Sequence, residues 1–161
     1  MKRAFLLLSV IFLSCSAFAQ EKYSDVLSEF QKNRVSFNYQ YVIPGLEDIV
    51  VEGSAVVQRN CFRMEGAGLL ILCDGTTVWT LDLESKEAYV EDAGEVDYLN
   101  YISDLSWEGE NLTGSFVEPS SDSIVNFTLY DIEKSPVSGD LSVFLPAEDS
   151  FIGDWIITDL R

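Results

Sequence analysis

Apolar and polar residues alternate along most of the chain, and this period of two is typical of strands with one buried face. The clearest run begins at Val35 and alternates as far as Ile43, just before Pro44-Gly45. Turn residues such as Asp74-Gly75 separate the other runs. These runs predict further strands at 49–58, 61–64, 69–73, 77–81, 87–91, 112–118, 123–130, 141–145 and 155–159.

Two segments depart from this alternation. Apolar residues from Tyr23 to Phe30 recur at i, i+3, i+4 and i+7, which predicts an amphipathic helix that Ser24 can cap. Residues 95–105 predict a short helical or irregular insertion. The predicted fold is therefore mainly β with flanking helices. It is a strongly curved antiparallel sheet, an incomplete or open β-barrel, covered by the N-terminal helix and a short lid segment at 95–105.

One face of the predicted sheet carries large apolar side chains. Two interpretations fit this pattern: an ordinary filled core, or an apolar cavity beneath the helix and the lid. The alternation assigns to this face Phe37, Tyr39, Tyr41, Val57, Trp79, Leu81, Val125, Phe127 and Leu129.

The start of the chain has the pattern of a secretory signal peptide at 1–19. Basic residues at 2–3 precede an apolar run at 4–13, and Ala17-Phe18-Ala19 fits the small-x-small rule for cleavage. The apolar run is about half the roughly 20 residues that a membrane-spanning helix needs. The prediction is an exported protein of the periplasm, with lipidation at Cys15 as the alternative.

The remaining chain, residues 20–161, is long enough for one domain with a sizeable core. Removing the signal peptide takes away two of the 10 basic residues, so 8 remain against 27 acidic residues and the net charge becomes −19. Such a surface argues against binding to nucleic acid and against adsorption to anionic lipid headgroups. Since 47% of the residues are apolar, the chain is also not an acidic disordered tail.

Residues suited to catalysis or to metal binding are scarce. The chain has no histidine, which excludes a Ser-His or Cys-His nucleophile, and it has no Cys-x-x-Cys motif. Hydrolysis by paired carboxylates stays open, although no acidic residue stands in an apolar context that would raise its pKa. Cys61 and Cys73 form either a disulfide or two buried thiols, and we favour the thiols. We therefore expect no enzyme activity, no cofactor and no metal.

The order and spacing of several short stretches carry a family resemblance. A helix at 26–33 leads into Val35-Ser36-Phe37-Asn38-Tyr39. The stretch 52–63 then contains the spacing Gly-x-(apolar)-x-(apolar)-x-Arg, followed by an aromatic residue. The hairpin Cys73–Trp79 follows, and Trp155–Arg161 closes the chain. Together these stretches resemble the LolA family of periplasmic outer-membrane lipoprotein carriers, in a version similar to the lipoprotein chaperones of Bacteroidetes.

The resemblance implies an incomplete β-barrel whose hollow apolar face is covered by helices. It implies a monomeric chaperone that accepts lipoproteins from an inner-membrane ABC-type transporter, binds their acyl chains and delivers them to an outer-membrane acceptor. Arg59, in phase with Ala55 and Val57, matches the family's lid-contacting arginine by position. This match implies a latch that hydrogen-bonds lid carbonyls when the cavity is empty, and an exposed strand-end arginine is the alternative.

Two other functions stay open beside the carrier. One is a periplasmic sensor of lipids or lipoproteins that resembles RseB. The other is a structural β-domain with a filled core.

Overall fold

The structure of the protein is a computed structural model, and it describes residues 24–43, 45–94, 102–118, 122–147 and 154–161. The described part is mainly β and forms a single sheet of ten strands. The two edge strands do not pair with each other, so the sheet is open, as the sequence predicts. The predicted signal peptide at 1–19 and residues 95–101 of the predicted lid lie outside the described residues.

The elements follow one another closely along the chain. Helix α1 is Ser24–Lys32 and continues directly into the first strand. A short 3-10 helix, Ser142–Phe144, precedes the last strand. The strands are β1 (Asn33–Ile43), β2 (Leu46–Gln58), β3 (Cys61–Gly66), β4 (Leu69–Cys73), β5 (Thr77–Asp82), β6 (Glu87–Asp92), β7 (Ile102–Glu108), β8 (Asn111–Glu118), β9 (Ser123–Pro136) and β10 (Ile156–Asp159).

The strands lie in the order β10-β6-β5-β4-β3-β2-β1-β9-β8-β7. Nine of them pair antiparallel with their neighbours, mostly through short hairpins. The prediction of a wholly antiparallel sheet is wrong for β10, which pairs in parallel with β6. The connection from β9 leads across the sheet to its far edge, so no hairpin dictates the direction of β10.

Two predicted elements differ in the structure. The alternation predicts a strand at 141–145, but Ser142–Phe144 form a 3-10 helix in which Phe144 is buried. Residues 102–105 of the predicted insertion belong to β7, which pairs with β8 from Ile102 onward. The run at 141–145 is short and largely apolar, and the period of such a run does not separate a strand from other structure. At 102–105 the apolar residues are too few to show a period of two, because Ser103 and Asp104 lie between Ile102 and Leu105.

The register divides the sheet into two faces, because directly opposed residues of antiparallel strands share a face. Phe37 of β1 lies opposite Ala55, Ala55 lies opposite Met64, and Met64 lies opposite Ile71. We call the face that contains these residues the apolar face and the other one the opposite face.

Each face carries its own buried cluster. The larger cluster lies on the apolar face and includes Val26 and Phe30 of α1. The smaller cluster lies on the opposite face around Leu72, Leu81 and Ala88. Among the described residues, no helix has both the length and the hydropathy that crossing a bilayer requires.

Candidate functional site

The apolar face brings together seven of the nine residues predicted to line a cavity. Tyr41 of β1, for example, lies opposite Phe127 of β9. None of the seven is more than 6% exposed. The seven residues are Phe37, Tyr39, Tyr41, Val57, Val125, Phe127 and Leu129.

Trp79 and Leu81 lie on the opposite face, so their assignment to the same wall is wrong. The pair Ile71↔Thr80 places Thr80 of β5 on the apolar face. Its two sequence neighbours therefore project to the other side. There Leu81 is buried and Trp79 is partly buried, both in the smaller cluster.

The turn between β4 and β5 fixes this register. Oδ1 of Asp74 accepts hydrogen bonds of 2.9 Å from the backbone N–H groups of Thr76 and Thr77. Partial burial acts to raise the pKa of Asp74, but these hydrogen bonds together bring it below its ordinary value. The turn pairs Cys73 with Val78. A period-two pattern does not reveal which residues of two successive strands lie on the same face, because that depends on the geometry of the turn. The sequence alone therefore assigned the residues of β5 to the wrong faces.

Aromatic rings fill much of the apolar face. The ring of Phe30 in α1 meets Phe37 edge-on with centroids 6.0 Å apart, and Tyr39 and Tyr41 stack at 6.5 Å. The Tyr39 hydroxyl donates a 3.3 Å hydrogen bond to the backbone carbonyl of Glu65. Burial raises the pKa of both tyrosines, that of Tyr41 to about 12, so neither is charged at neutral pH. These aromatic side chains therefore form an uncharged wall.

Helix α1 packs on this wall with one side. Val26 and Phe30 belong to the same buried cluster as the strand residues, whereas Asp25 and Lys32 are exposed. Because Lys32 is followed at once by β1, the helix is joined to the sheet at its C-terminal end. The packing therefore depends on a narrow apolar stripe and on this junction.

Polar contacts join α1 to the edge of the apolar face. Nζ of Lys134 on β9 lies 2.6 Å from Oε2 of Glu29, and both side chains are about 40% exposed. The hydrogen bond and the charge of Lys134 lower the pKa of Glu29. The same Nζ lies 5.8 Å from the ring centroid of Trp107 on β7. We call Glu29, Lys134 and Trp107 the rim cluster, and it connects the helix to two strands.

Arg59 does not lie on the apolar face. Strand β2 ends at Gln58, and Arg59 and Asn60 form the turn into β3. Arg59 has a φ of 56° and its side chain is exposed. The predicted position of the latch is therefore wrong, because a tight turn ends the alternation before it reaches Arg59.

A different arginine, Arg34, makes long-range contacts, and it lies on the opposite face. Its Nε donates to Oε1 of Gln58 at 2.9 Å, and its Nη2 donates to the carbonyl oxygen of Asp140 at 2.6 Å. Its guanidinium carbon lies 5.3 Å from the ring centroid of Phe144, which is fully buried. These contacts fasten the segment after β9 to the sheet. Since Arg34 and Asp140 are 106 residues apart, no local sequence signal reveals the contact.

A groove of about 750 Å³ lies beside β1, lined mainly by residues of the opposite face. Arg63 in its lining forms an ion pair of 3.0 Å with Glu65. Asn38, Asp131 and Glu133 are among its other polar lining residues. An acyl chain would leave these polar groups without water, so this groove does not suit the predicted cargo.

Cys61 and Cys73 are buried free thiols, which confirms the favoured prediction. Phe62 pairs with Cys73, so the two cysteines are one residue out of register and project to opposite faces. Burial raises the pKa of both thiols, that of Cys73 to about 11. In the described ranges, no group of three or more Cys, Asp and Glu residues is arranged to hold a metal ion.

Comparison with known proteins identifies the fold alone. No protein-family model and no curated protein matches the chain. The structure is similar to the crystal structure of an uncharacterized conserved protein from Thermus thermophilus, with a TM-score of 0.54 and 9% sequence identity. The match covers 88% of this chain and 99% of the Thermus chain.

Proposed function

We propose that the protein is a periplasmic chaperone that binds the acyl chains of lipoproteins against its apolar face, beneath α1. The observation that supports this proposal most strongly is the combination of one continuous apolar face and a short helix packed on it by two buried side chains. The proposed partners are an inner-membrane ABC-type transporter that supplies the cargo and an outer-membrane acceptor that takes it.

Because the residues of the apolar face are buried, cargo must displace something that covers them. Of the described elements, α1 is suited to move, because it is joined directly to β1 at one end and holds the face through Val26 and Phe30. Residues 95–101 of the proposed lid lie outside the described residues. Helix α1 is therefore the proposed moving cover.

The free energies favour this exchange. Exposing Val26 and Phe30 costs about 3–6 kcal/mol, at about 1.5–3 kcal/mol for each buried side chain. An acyl chain gains about 0.8 kcal/mol for each CH₂ group that leaves water, on the order of 12 kcal/mol for sixteen carbons. One chain can therefore displace the helix, and the return of α1 to the face assists release.

In this proposal the rim cluster is the latch that holds α1 closed, the role that the family resemblance implied for Arg59. The ion pair between Glu29 and Lys134 stabilises the closed position of α1 without placing a charge on the apolar wall. Because both groups are partly exposed, they stay hydrated when α1 moves away. A latch of this kind is weak and reversible, which a carrier needs.

The charge of the protein fits transport between two membranes. The chain carries 27 acidic against 10 basic residues. A surface of this sign is repelled by anionic headgroups, so a loaded carrier stays in solution while it diffuses.

A covalent restraint on α1 tests the proposal. Glu29→Cys and Lys134→Cys, in a background of Cys61→Ala and Cys73→Ala, provide two thiols that a short bifunctional reagent can bridge. The unbridged variant should bind a fluorescent triacylated peptide, and the bridged variant should lose most of that binding, because α1 can no longer leave the face. The matched control is the same background treated with a monofunctional reagent, which should bind normally.

The outcomes separate the candidate functions. Equal binding with and without the bridge would contradict the role of α1 as the cover. Failure of the wild-type protein to bind the peptide would contradict the carrier altogether and leave a structural β-domain with a filled core. A sensor would bind the peptide but would not transfer it to acceptor vesicles, whereas the proposed carrier releases it.

A further inference from the structure

Thr80 has a buried hydroxyl without a hydrogen-bond partner. Thr80 is 6% exposed, and its Oγ1 makes no hydrogen bond. Within the part of the chain that the structure describes, this is the one buried side-chain oxygen or nitrogen in that condition. Since buried polar groups are nearly always paired, this hydroxyl requires an explanation.

The position of Thr80 makes the hydroxyl more unusual. Thr80 lies on the apolar face, opposite Ile71 of β4 and Tyr89 of β6. Val78, two residues earlier on the same strand and face, packs against the large cluster. A valine in place of Thr80 would have nearly the same shape and would bury no unpaired polar atom. Packing therefore does not explain why a threonine stands here.

We propose that Thr80 is a ligand-binding residue that donates its hydroxyl hydrogen to an ester carbonyl of acylated cargo. This inference rests on the proposed function and deepens it. Each ester-linked acyl chain of a diacylglyceryl group carries a carbonyl that accepts hydrogen bonds, and that carbonyl loses its water when the chain is buried. One donor beside the apolar side chains of Val78 and Ile71 satisfies both the carbonyl and the threonine.

The proposal also orients the cargo. Thr80 lies on β5, whereas the aromatic residues of β1 and β9 lie on the other side of β2, β3 and β4 in the sheet. A chain whose ester is bound at β5 therefore extends its hydrocarbon across the sheet toward Phe37 and Phe127. The carrier then distinguishes ester-linked chains from ether-linked chains of equal length.

Two ligands and two variants test the inference. One ligand is a peptide with an S-(dipalmitoylglyceryl)cysteine, and the other is the same peptide with ether-linked hexadecyl chains. The wild type should bind the ester form about fivefold to tenfold more tightly, the effect expected of one buried hydrogen bond. Thr80→Val should lose this preference for the ester form, because it keeps the shape and lacks the donor. Thr77→Val, the same change on the same strand but on the opposite face, should keep the ester preference.

Stability measurements show whether a loss of binding results from misfolding of the variant. Thr80→Val should be at least as stable as the wild type to urea, because it removes an unpaired buried hydroxyl. Should Thr80→Val fold poorly, Thr80→Ser keeps a donor and should keep part of the ester preference. An unchanged preference in Thr80→Val, or equal affinities in the wild type, would overturn the role of Thr80 while leaving the carrier intact. Absence of binding of either peptide to the wild type would overturn the carrier and this inference together.

Discussion

The ring of Tyr39 lies across Gly53 on the neighbouring strand, where a Cβ atom on Gly53 would overlap the tyrosine hydroxyl. The added atom would also overlap the backbone carbonyl oxygen of Glu65, which accepts the Tyr39 hydrogen bond. On β8, Gly114 leaves similar space for Phe127, whose Cζ lies 2.6 Å from the position of an added Cβ. Two glycines inside strands are thus explained by aromatic rings that lie over them on the apolar face.

Gly53→Ala should destabilise the protein by about 1–3 kcal/mol, the usual cost of inserting a methyl group into a filled site. The change forces both the Tyr39 ring and the backbone of β3 to move. Gly139→Ala is the matched control, because nothing lies within 4 Å of the added atom. Urea unfolding of the two variants measures the difference, and equal midpoints would contradict the account of Tyr39 and Gly53.

The rim cluster should make the closed position of α1 sensitive to acid. Lys134 holds the pKa of Glu29 below its ordinary value of 4.5. The ion pair therefore contributes fully above pH 4.5, and its contribution is lost as the pH falls through the lowered pKa of Glu29. Binding of a hydrophobic dye should rise below pH 4.5 in the wild type, while circular dichroism shows that the sheet persists.

Glu29→Gln isolates this effect from the other carboxylates. It should bind more dye than the wild type already at pH 7. It should also lose the rise in dye binding that protonation of Glu29 causes in the wild type at acid pH. Arg59→Leu is the control for surface charge, because Arg59 is exposed in a turn and should change neither dye binding nor release of cargo. A large effect of Arg59→Leu with no effect of Glu29→Gln would show that the latch is misassigned.

The segment after β9 should contribute strongly to stability through Phe144. Phe144→Ala should cost about 3–5 kcal/mol, because the ring is fully buried beside the Arg34 guanidinium. Leu145→Ala, next in sequence but 41% exposed, should stay within about 0.5 kcal/mol of the wild type. Thermal or urea unfolding provides the comparison, and similar losses in both variants would contradict the anchoring role of Phe144.

The two thiols should react slowly in the native protein. With a pKa of about 11, Cys73 has on the order of one thousandth of its population as thiolate at pH 8. Alkylation should therefore proceed only on unfolding, and mild oxidation should not join Cys61 to Cys73, because their side chains lie on opposite faces. Mass spectrometry of the alkylated protein checks this, and complete labelling of the native protein within minutes would contradict it.

Local periodicity predicted most strands and the open sheet, because each strand with one buried face repeats its apolar residues independently of the others. The alternation around Phe37 and Tyr39 needed no knowledge of the rest of the chain. Errors in assigning residues to a face arose where the chain passes through a turn. The β4–β5 turn places Thr80, not Trp79, on the apolar face, and the β2–β3 turn removes Arg59 from it.

The remaining features of the site depend on residues that are distant in sequence. Lys134 and Glu29 are 105 residues apart, and the pairing of β10 with β6 joins segments that three strands separate along the chain. No local pattern contains such pairs. Thr80 is a different case, since its strand was predicted and its hydroxyl became informative only when the structure showed it buried without a partner.

The central claim is that acyl chains lie against the apolar face beneath α1, and photolabelling tests it most directly. A triacylated peptide with a diazirine on one acyl chain is irradiated with the native protein, and mass spectrometry locates the modified residues. The account predicts saturable labelling of Phe30, Phe37 and Phe127, and none of Trp79 or Leu81. Labelling of Trp79 and Leu81 in place of the apolar face, or no saturable labelling at all, would contradict it.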